Sequence, residues 1–259
     1  MNVKSVLYTS LAVLLVIGSG CGGKSEEDAD VMQSSAPAVA KKAVDPATTG
    51  TVAGKVSFTG TAPKMNKIDL GADAVCASLH QEAIRDQSVI VNGNGTLKNA
   101  VVYVKKGLEE YSIPAPAQTP TLNQVGCRYE PHVLVMTPGV LKIQSSDKTM
   151  HNVNCQAKVN KPFNRAQPVP STIEEKLTKP EFVPFKCDVH PWMRAYVAVI
   201  EHPIAALTGD EGSFKLDSLP AGTYTIEAWH EKFGTQEMTV TVETGKTAEA
   251  NFTFNAPGA

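Results

Sequence analysis

Cys187-Asp188-Val189-His190-Pro191-Trp192-Met193 sets a thiol, an imidazole and a thioether within one short loop. Thiolate sulfur and imidazole nitrogen are the donors that soft and borderline first-row metals prefer. The loop supplies only these donors, so a second imidazole must come from elsewhere. His151, in Met150-His151-Asn152-Val153, follows an apolar strand-like segment ending near Ile143 and is the candidate. Phe182 to Phe185 runs into Cys187 and Ala195 to Ile200 leaves Met193, so a strand is predicted on either side of the loop, as a rigid site needs.

The resulting set is His151, Cys187, His190 and Met193. A trigonal His₂Cys arrangement with a weak axial Met lets copper cycle between Cu(I) and Cu(II). Zinc accepts Cys and His equally well, but a thioether is a poor zinc ligand. Copper is therefore the expected metal.

A His-Asn-Val strand start followed by a Cys-x-x-His-Pro-x-Met loop resembles the blue-copper cupredoxins of the plastocyanin and amicyanin kind. The short Cys-to-Met spacing is most similar to the amicyanin-like branch. The resemblance spans roughly residues 86–200. It implies a Greek-key β-sandwich in which His151, Cys187, His190 and Met193 hold one type 1 copper and Asn152 ties the two ligand loops together. It also implies that His190 reaches the surface as the electron port. Pro191 and Trp192 beside it would form an apolar docking patch for transient redox partners such as cytochromes. Pro184, Phe185, Pro191 and Trp192 would give the Cys187 sulfur apolar surroundings that tune the site. With every copper position filled by protein, the expectation is electron transfer without enzymatic turnover. Copper binding and handling is one alternative, and a structural cell-surface role another.

The flanking sequence predicts an all-β chain. Val52, Val56 and Phe58 alternate with polar residues, and folded structure is expected from about Thr51. Ser88–Val91, the turn Asn92-Gly93-Asn94-Gly95 and Ala100–Val104 read as a β-hairpin. Gly107 to Val125 reads as loop, and Asn160 to Pro184 as a polar crossing between the ligand-bearing parts. His132–Met136 and Val140–Ile143 read as a strand pair about Thr137-Pro138-Gly139. Only Ala72 to Ala83, with Cys76 and His80, shows helical spacing.

The N-terminus has Lys4, an apolar run from Val6 to Ile17 and Gly18-Ser19-Gly20 before Cys21, the plan of a secretory signal. It is similar to a bacterial lipoprotein signal, although Gly18 stands where that family usually has Leu. The resemblance implies removal of residues 1–20, lipidation of Cys21 and attachment to the periplasmic or cell-surface face of a membrane. Residues 21–50 are polar and Pro-containing with no apolar period, and read as a flexible tether. A formal charge of -2 suggests no nucleic-acid partner.

Residues 51–202 are taken as the copper-binding domain and 203–256 as a second, smaller unit. The latter's Gly212-Ser213-Phe214 and Leu219-Pro220-Ala221-Gly222-Thr223-Tyr224 resemble the carboxypeptidase regulatory-like, or transthyretin-like, β-sandwich module, which implies a structural or adhesive role. The strand at residues 51–60 could also pack with this module. Trp229-His230-Glu231 reads as surface structure at a strand end. Three cysteines, Cys76, Cys127 and Cys155, are left over. Cys76 with Cys127 is the favoured disulfide because both lie outside the ligand segments, leaving Cys155 as a buried thiol; the sequence leaves other pairings open. A second metal site using Cys127 and His132 is a further alternative.

Overall fold

Along Gly139–Ser145, Leu141, Ile143 and Ser145 are buried while the residues between them are only half-buried, the period of two of a strand with one face on a core. That pattern recurs in Thr121–Gln124 and along much of Ser213–Pro220. The computed structural model describes residues 40–256. Within them the fold is all-β, with helix confined to Ala74–Ser78 and a 3-10 turn at Pro46–Thr48. The signal segment and Cys21 lie outside the described residues.

The ligand-bearing sandwich has a five-stranded sheet in the order Phe163–Gln167, His151–Cys155, Glu181–Lys186, Arg194–Val199, Val133–Met136. Facing it is a four-stranded sheet in the order Ser171–Leu177, Gly139–Ser145, Thr121–Gln124, Tyr129–Glu130. Leu122, Leu141, Ile143, Val183, Phe185 and Val197 fill the space between. Three local expectations are corrected here. Val133–Met136 and Gly139–Ser145 are strands, but they sit in opposite sheets. Thr121–Gln124 is a strand inside the expected loop, pairing in parallel with Gly139–Ser145. The polar crossing holds two strands, Phe163–Gln167 and Ser171–Leu177, each paired along its length with an inner neighbour.

The second sandwich does not begin at residue 203. One of its sheets runs Ala205–Leu207, Val101–Lys106, Gly222–His230, Gly234–Val242; the other is built on Thr49–Thr59, flanked by Ser213–Pro220 and by Thr247–Glu249 with Phe252–Asn255. Thr49–Thr59 and Val101–Lys106, expected in the copper-binding domain, therefore belong to this unit. The reason is apolar surface: Val52, Val56, Phe58, Val102 and Val104 complete a core with Phe214, Leu216, Ile226 and Phe254 that the last fifty residues alone cannot close. Val101–Lys106 pairs with Gly222–His230, so the expected hairpin is reduced to one bridge, Val91 with Leu97. The tether's last residues are also structured: Lys42–Ala43 pairs in parallel with Tyr111–Ser112, and Asp45 caps the 3-10 turn before Thr49.

A bulge between Leu216 and Leu219, with Ser218 at φ 60°, restores the inward phase so that Leu219 is fully buried. The buried Tyr224 hydroxyl then donates to Pro220 O at 2.6 Å, bracing the corner. Tyr224→Phe is expected to remove about 1 kcal/mol of stability, measured as a lower urea midpoint at unchanged slope. An unchanged midpoint would mean that the hydroxyl contributes nothing.

Candidate metal centre

His151 opens the strand His151–Cys155, which lies between Phe163–Gln167 and Glu181–Lys186. Cys187 follows Lys186 directly, and Lys186 pairs with Arg194, so residues 187–193 form a loop whose two ends are fixed in adjacent antiparallel strands. Within it the Cys187 N–H donates to Met193 O at 3.1 Å and the Met193 N–H to His190 O at 2.9 Å. Amide N–H groups of Asn152 and His190 point at Cys187 Sγ, at 3.5 and 3.4 Å. One ligand atom from each of His151, Cys187 and His190 lies within 4.8 Å of the other two, and all three residues are buried. Met193 is buried in the same apolar cluster as Cys187.

Asn152 joins the two segments. Its Oδ1 accepts the Asp188 N–H at 2.5 Å and lies 3.3 Å from Cys187 Sγ, while its Nδ2 donates to Asp188 Oδ2 at 2.9 Å. Tyr129 reinforces the connection from beneath, its hydroxyl 2.9 Å from Asn152 O and 3.2 Å from Lys186 O.

The two histidines are oriented by carboxylates. His151 Nε2 lies 3.0 Å from Asp147 Oδ2, and His190 Nε2 lies 3.1 Å from Asp73 Oδ2. Those contacts place the Nε2 protons outward and leave the two Nδ1 atoms facing each other at 3.0 Å. A hydrogen bond between two Nδ1 atoms whose Nε2 atoms both donate requires one imidazole to carry two protons. His151 is that one: burial alone would depress its pKa, but the bond to Asp147 and the neighbouring Cys187 sulfur raise it to about 9. Burial pushes the Cys187 thiol up, but His151 and the amides of Asn152 and His190 outweigh it and hold it below its ordinary value. The pocket thus loosens the hold of Cys187 on its proton and tightens that of His151. Two imidazole nitrogens, a cysteine sulfur and a nearby buried thioether are a donor set that fits copper.

The structure departs from the resemblance at His190, which is only 2% exposed. The segment around Ala74–Ser78 covers it: Asp73, the N-cap of that helix, contacts its Nε2, and Cys76 Sγ lies 3.5 Å from the same atom. Cys76 is joined to Cys127 by a disulfide. Trp192 lies on the other flank, its ring centroid 5.1 Å from that of His190 and its Nε1–H donating to Cys127 O at 3.0 Å. Pro191 is exposed beside it. Asp73 and Asp147 escaped the sequence reading because a lone Asp in a polar loop carries no periodic signal. Cys127, consumed by the disulfide, does not join His132 at a metal. His132 instead bonds the Glu231 carboxylate, whose side chain is buried; Trp229 is buried at the junction of the sandwiches and His230 against Phe233 and Phe254, so this segment is not surface structure. Cys155 is a buried free thiol, which burial pushes up to about 11.

Comparison with known proteins bears on both halves. Residues 190–255 match the family model of the carboxypeptidase regulatory-like domain. That match includes Arg194–Val199, a strand of the ligand-bearing sheet, and omits the earlier strands Thr49–Thr59 and Val101–Lys106 that complete the second sandwich. No curated protein matches the chain. Among solved structures it is weakly similar to a copper-containing nitrite reductase from Thermus scotoductus SA-01, at 19% identity and TM-score 0.31, covering 38% of this chain and 25% of that one. A purple cupredoxin from Nitrosopumilus maritimus matches at 18% identity and TM-score 0.28 over 31% of this chain and 99% of its own. A copper(I) amicyanin variant matches at 18% and 0.30 over 38% and 98%.

Proposed function

We propose that this protein is a type 1 copper protein that carries single electrons outside the cytoplasm, tethered to a membrane through Cys21. The observation that carries the reading is the convergence of His151, Cys187 and His190 in one buried pocket, with Met193 buried in the same apolar cluster as Cys187. Copper bound there would supply one-electron Cu(II)/Cu(I) chemistry. The chain's own part is to hold the donors still. Strands fix both ends of the ligand loop, Asn152 ties the loop to the His151 strand, and Asp147 and Asp73 set which nitrogen each histidine presents. Amides directed at Cys187 Sγ stabilise the thiolate form.

With His190 covered, electrons enter or leave beside it, through the half-buried Trp192 at the edge of the same loop. The copper-handling alternative needs an open, exchangeable site, and the burial of all three ligands speaks against it. The test is Cu(II) titration of the protein followed by optical and EPR spectroscopy, with Cys187→Ser as control. An intense visible thiolate-to-copper band with narrow hyperfine splitting is expected, and loss of both in the variant. A pale spectrum indifferent to the substitution would sink the reading.

A further inference from the structure

A cavity of about 250 Å³ opens next to the ligand loop, with Trp192 and Met193 in its wall. Its charge is unusual for this chain. Arg85, Arg128, Arg194 and Lys232 line it against the carboxylates of Asp86 and Glu231, whereas the whole chain is formally -2. The two carboxylates are already engaged: Glu231 by His132 Nε2, and Asp86 by the Ser88 N–H at 2.6 Å. Among the described residues only Arg128 of the four cations has an ion pair, with Glu130 at 3.1 Å, outside the cavity lining. Arg85 donates to Met65 O at 2.8 Å. The exposed side chains of Arg194 and Lys232 have no hydrogen-bond or ion-pair partner among the described residues. Arg128 Nε, moreover, is buried with no acceptor. A buried guanidinium N–H is costly to leave unpaired, and this one finds no acceptor among the described residues.

We infer that this cavity receives carboxylate side chains from the acidic face of the protein that exchanges electrons at Trp192. Guanidinium groups favour carboxylates, which they can hold through two parallel hydrogen bonds. The location selects a docking role: an acidic surface seated on these four cations lies against Pro191 and Trp192, beside the ring of His190. Excess positive charge concentrated at a concave site also raises the encounter rate with an anionic partner, by roughly tenfold or more at low salt. This assignment deepens the electron-carrier reading and rests on it.

The first arm of the test needs no metal. The ¹H–¹⁵N NMR spectrum of the metal-free protein is recorded with hexacyanochromate(III), a redox-inert paramagnetic trianion. Line broadening is expected around Arg85, Arg128, Trp192, Arg194 and Lys232. It should fade with added salt and disappear in the Arg194→Glu/Lys232→Glu variant, whose other resonances hold their positions. Broadening spread evenly over surface lysines, or unchanged in the variant, overturns the site. In a competition arm a glutamate-rich peptide should displace the probe at much lower carboxylate concentration than succinate; equal potency would assign a small-anion site instead of a docking surface. In the second arm the copper(I)-loaded protein passes one electron to hexacyanoferrate(III), giving hexacyanoferrate(II). The double variant should slow this step roughly tenfold at low salt, with the visible band of the oxidised protein unchanged, and should leave oxidation by a cationic cobalt(III) complex no slower. If no such band forms in either protein, the copper reading fails while the NMR result still decides the anion site.

Discussion

Cleaving the disulfide between Cys76 and Cys127, by reduction or by the double substitution Cys76→Ala/Cys127→Ala, is expected to remove about 4 kcal/mol of stability. The figure follows from a sequence separation of 51 residues, whose closure restricts the unfolded chain. At this size such a loss corresponds to a melting temperature lower by roughly 10 °C. The consequence at the site is more specific. Cys127 donates its N–H to Asp147 Oδ2 at 2.8 Å and its carbonyl accepts from Trp192, while Cys76 holds the short helix whose cap, Asp73, contacts His190. The disulfide therefore anchors the residues that orient both histidines. Opening it should uncover His190, read out as faster carbethoxylation of that histidine in the metal-free protein, located by peptide mapping. Unchanged melting and an equally protected His190 would show that packing alone holds the cover in place.

What the sequence made legible follows from how local each signal is. Cys187, His190 and Met193 share one loop, and a loop's contents are read directly. The all-β character was legible because period-two alternation is local too, as in Thr49–Thr59 and Ser213–Pro220. The partnership of those two strands was not, because they are far apart in the chain and either sandwich could have claimed Val52 and Phe58. Thr121–Gln124 and Ser171–Leu177 read as loop because each is mostly polar and buries few apolar side chains; in the first even Gln124 is buried. The cover over His190 had no sequence signature: it needs Asp73 and Cys76, on one segment, to meet Trp192, on another distant in the chain. The resemblance at the ligand loop gave His190 a surface position, and a segment lying outside that loop reversed it.

The stability of the metal-free protein should pass through a maximum near pH 6.5 and fall on both sides. His151 sets the alkaline limb. Its folded pKa, raised to about 9, exceeds the unfolded value of 6.5, so its stabilisation is complete below pH 6.5 and is lost as pH rises through 9. His230 sets the acid limb. Burial against Phe233 and Phe254, with smaller contributions from His132 and Lys232, lowers it to about 4, so its contribution is present above pH 6.5 and is lost as pH falls through 4. Each limb amounts to at most about 3 kcal/mol. Cys187 works against the alkaline limb, since a depressed thiol contributes stability that is present at high pH and lost as pH falls. The two limbs separate by substitution. Among the groups that raise the His151 pKa, Asp147 acts first through its hydrogen bond, so Asp147→Asn should flatten the profile between pH 6.5 and 9 and leave the acid limb intact. Urea midpoints measured from pH 4 to pH 9 on both proteins decide it. An alkaline slope that survives in Asp147→Asn would mean that the extra proton is not held on His151, and that the two Nδ1 atoms are not preset around a positive charge.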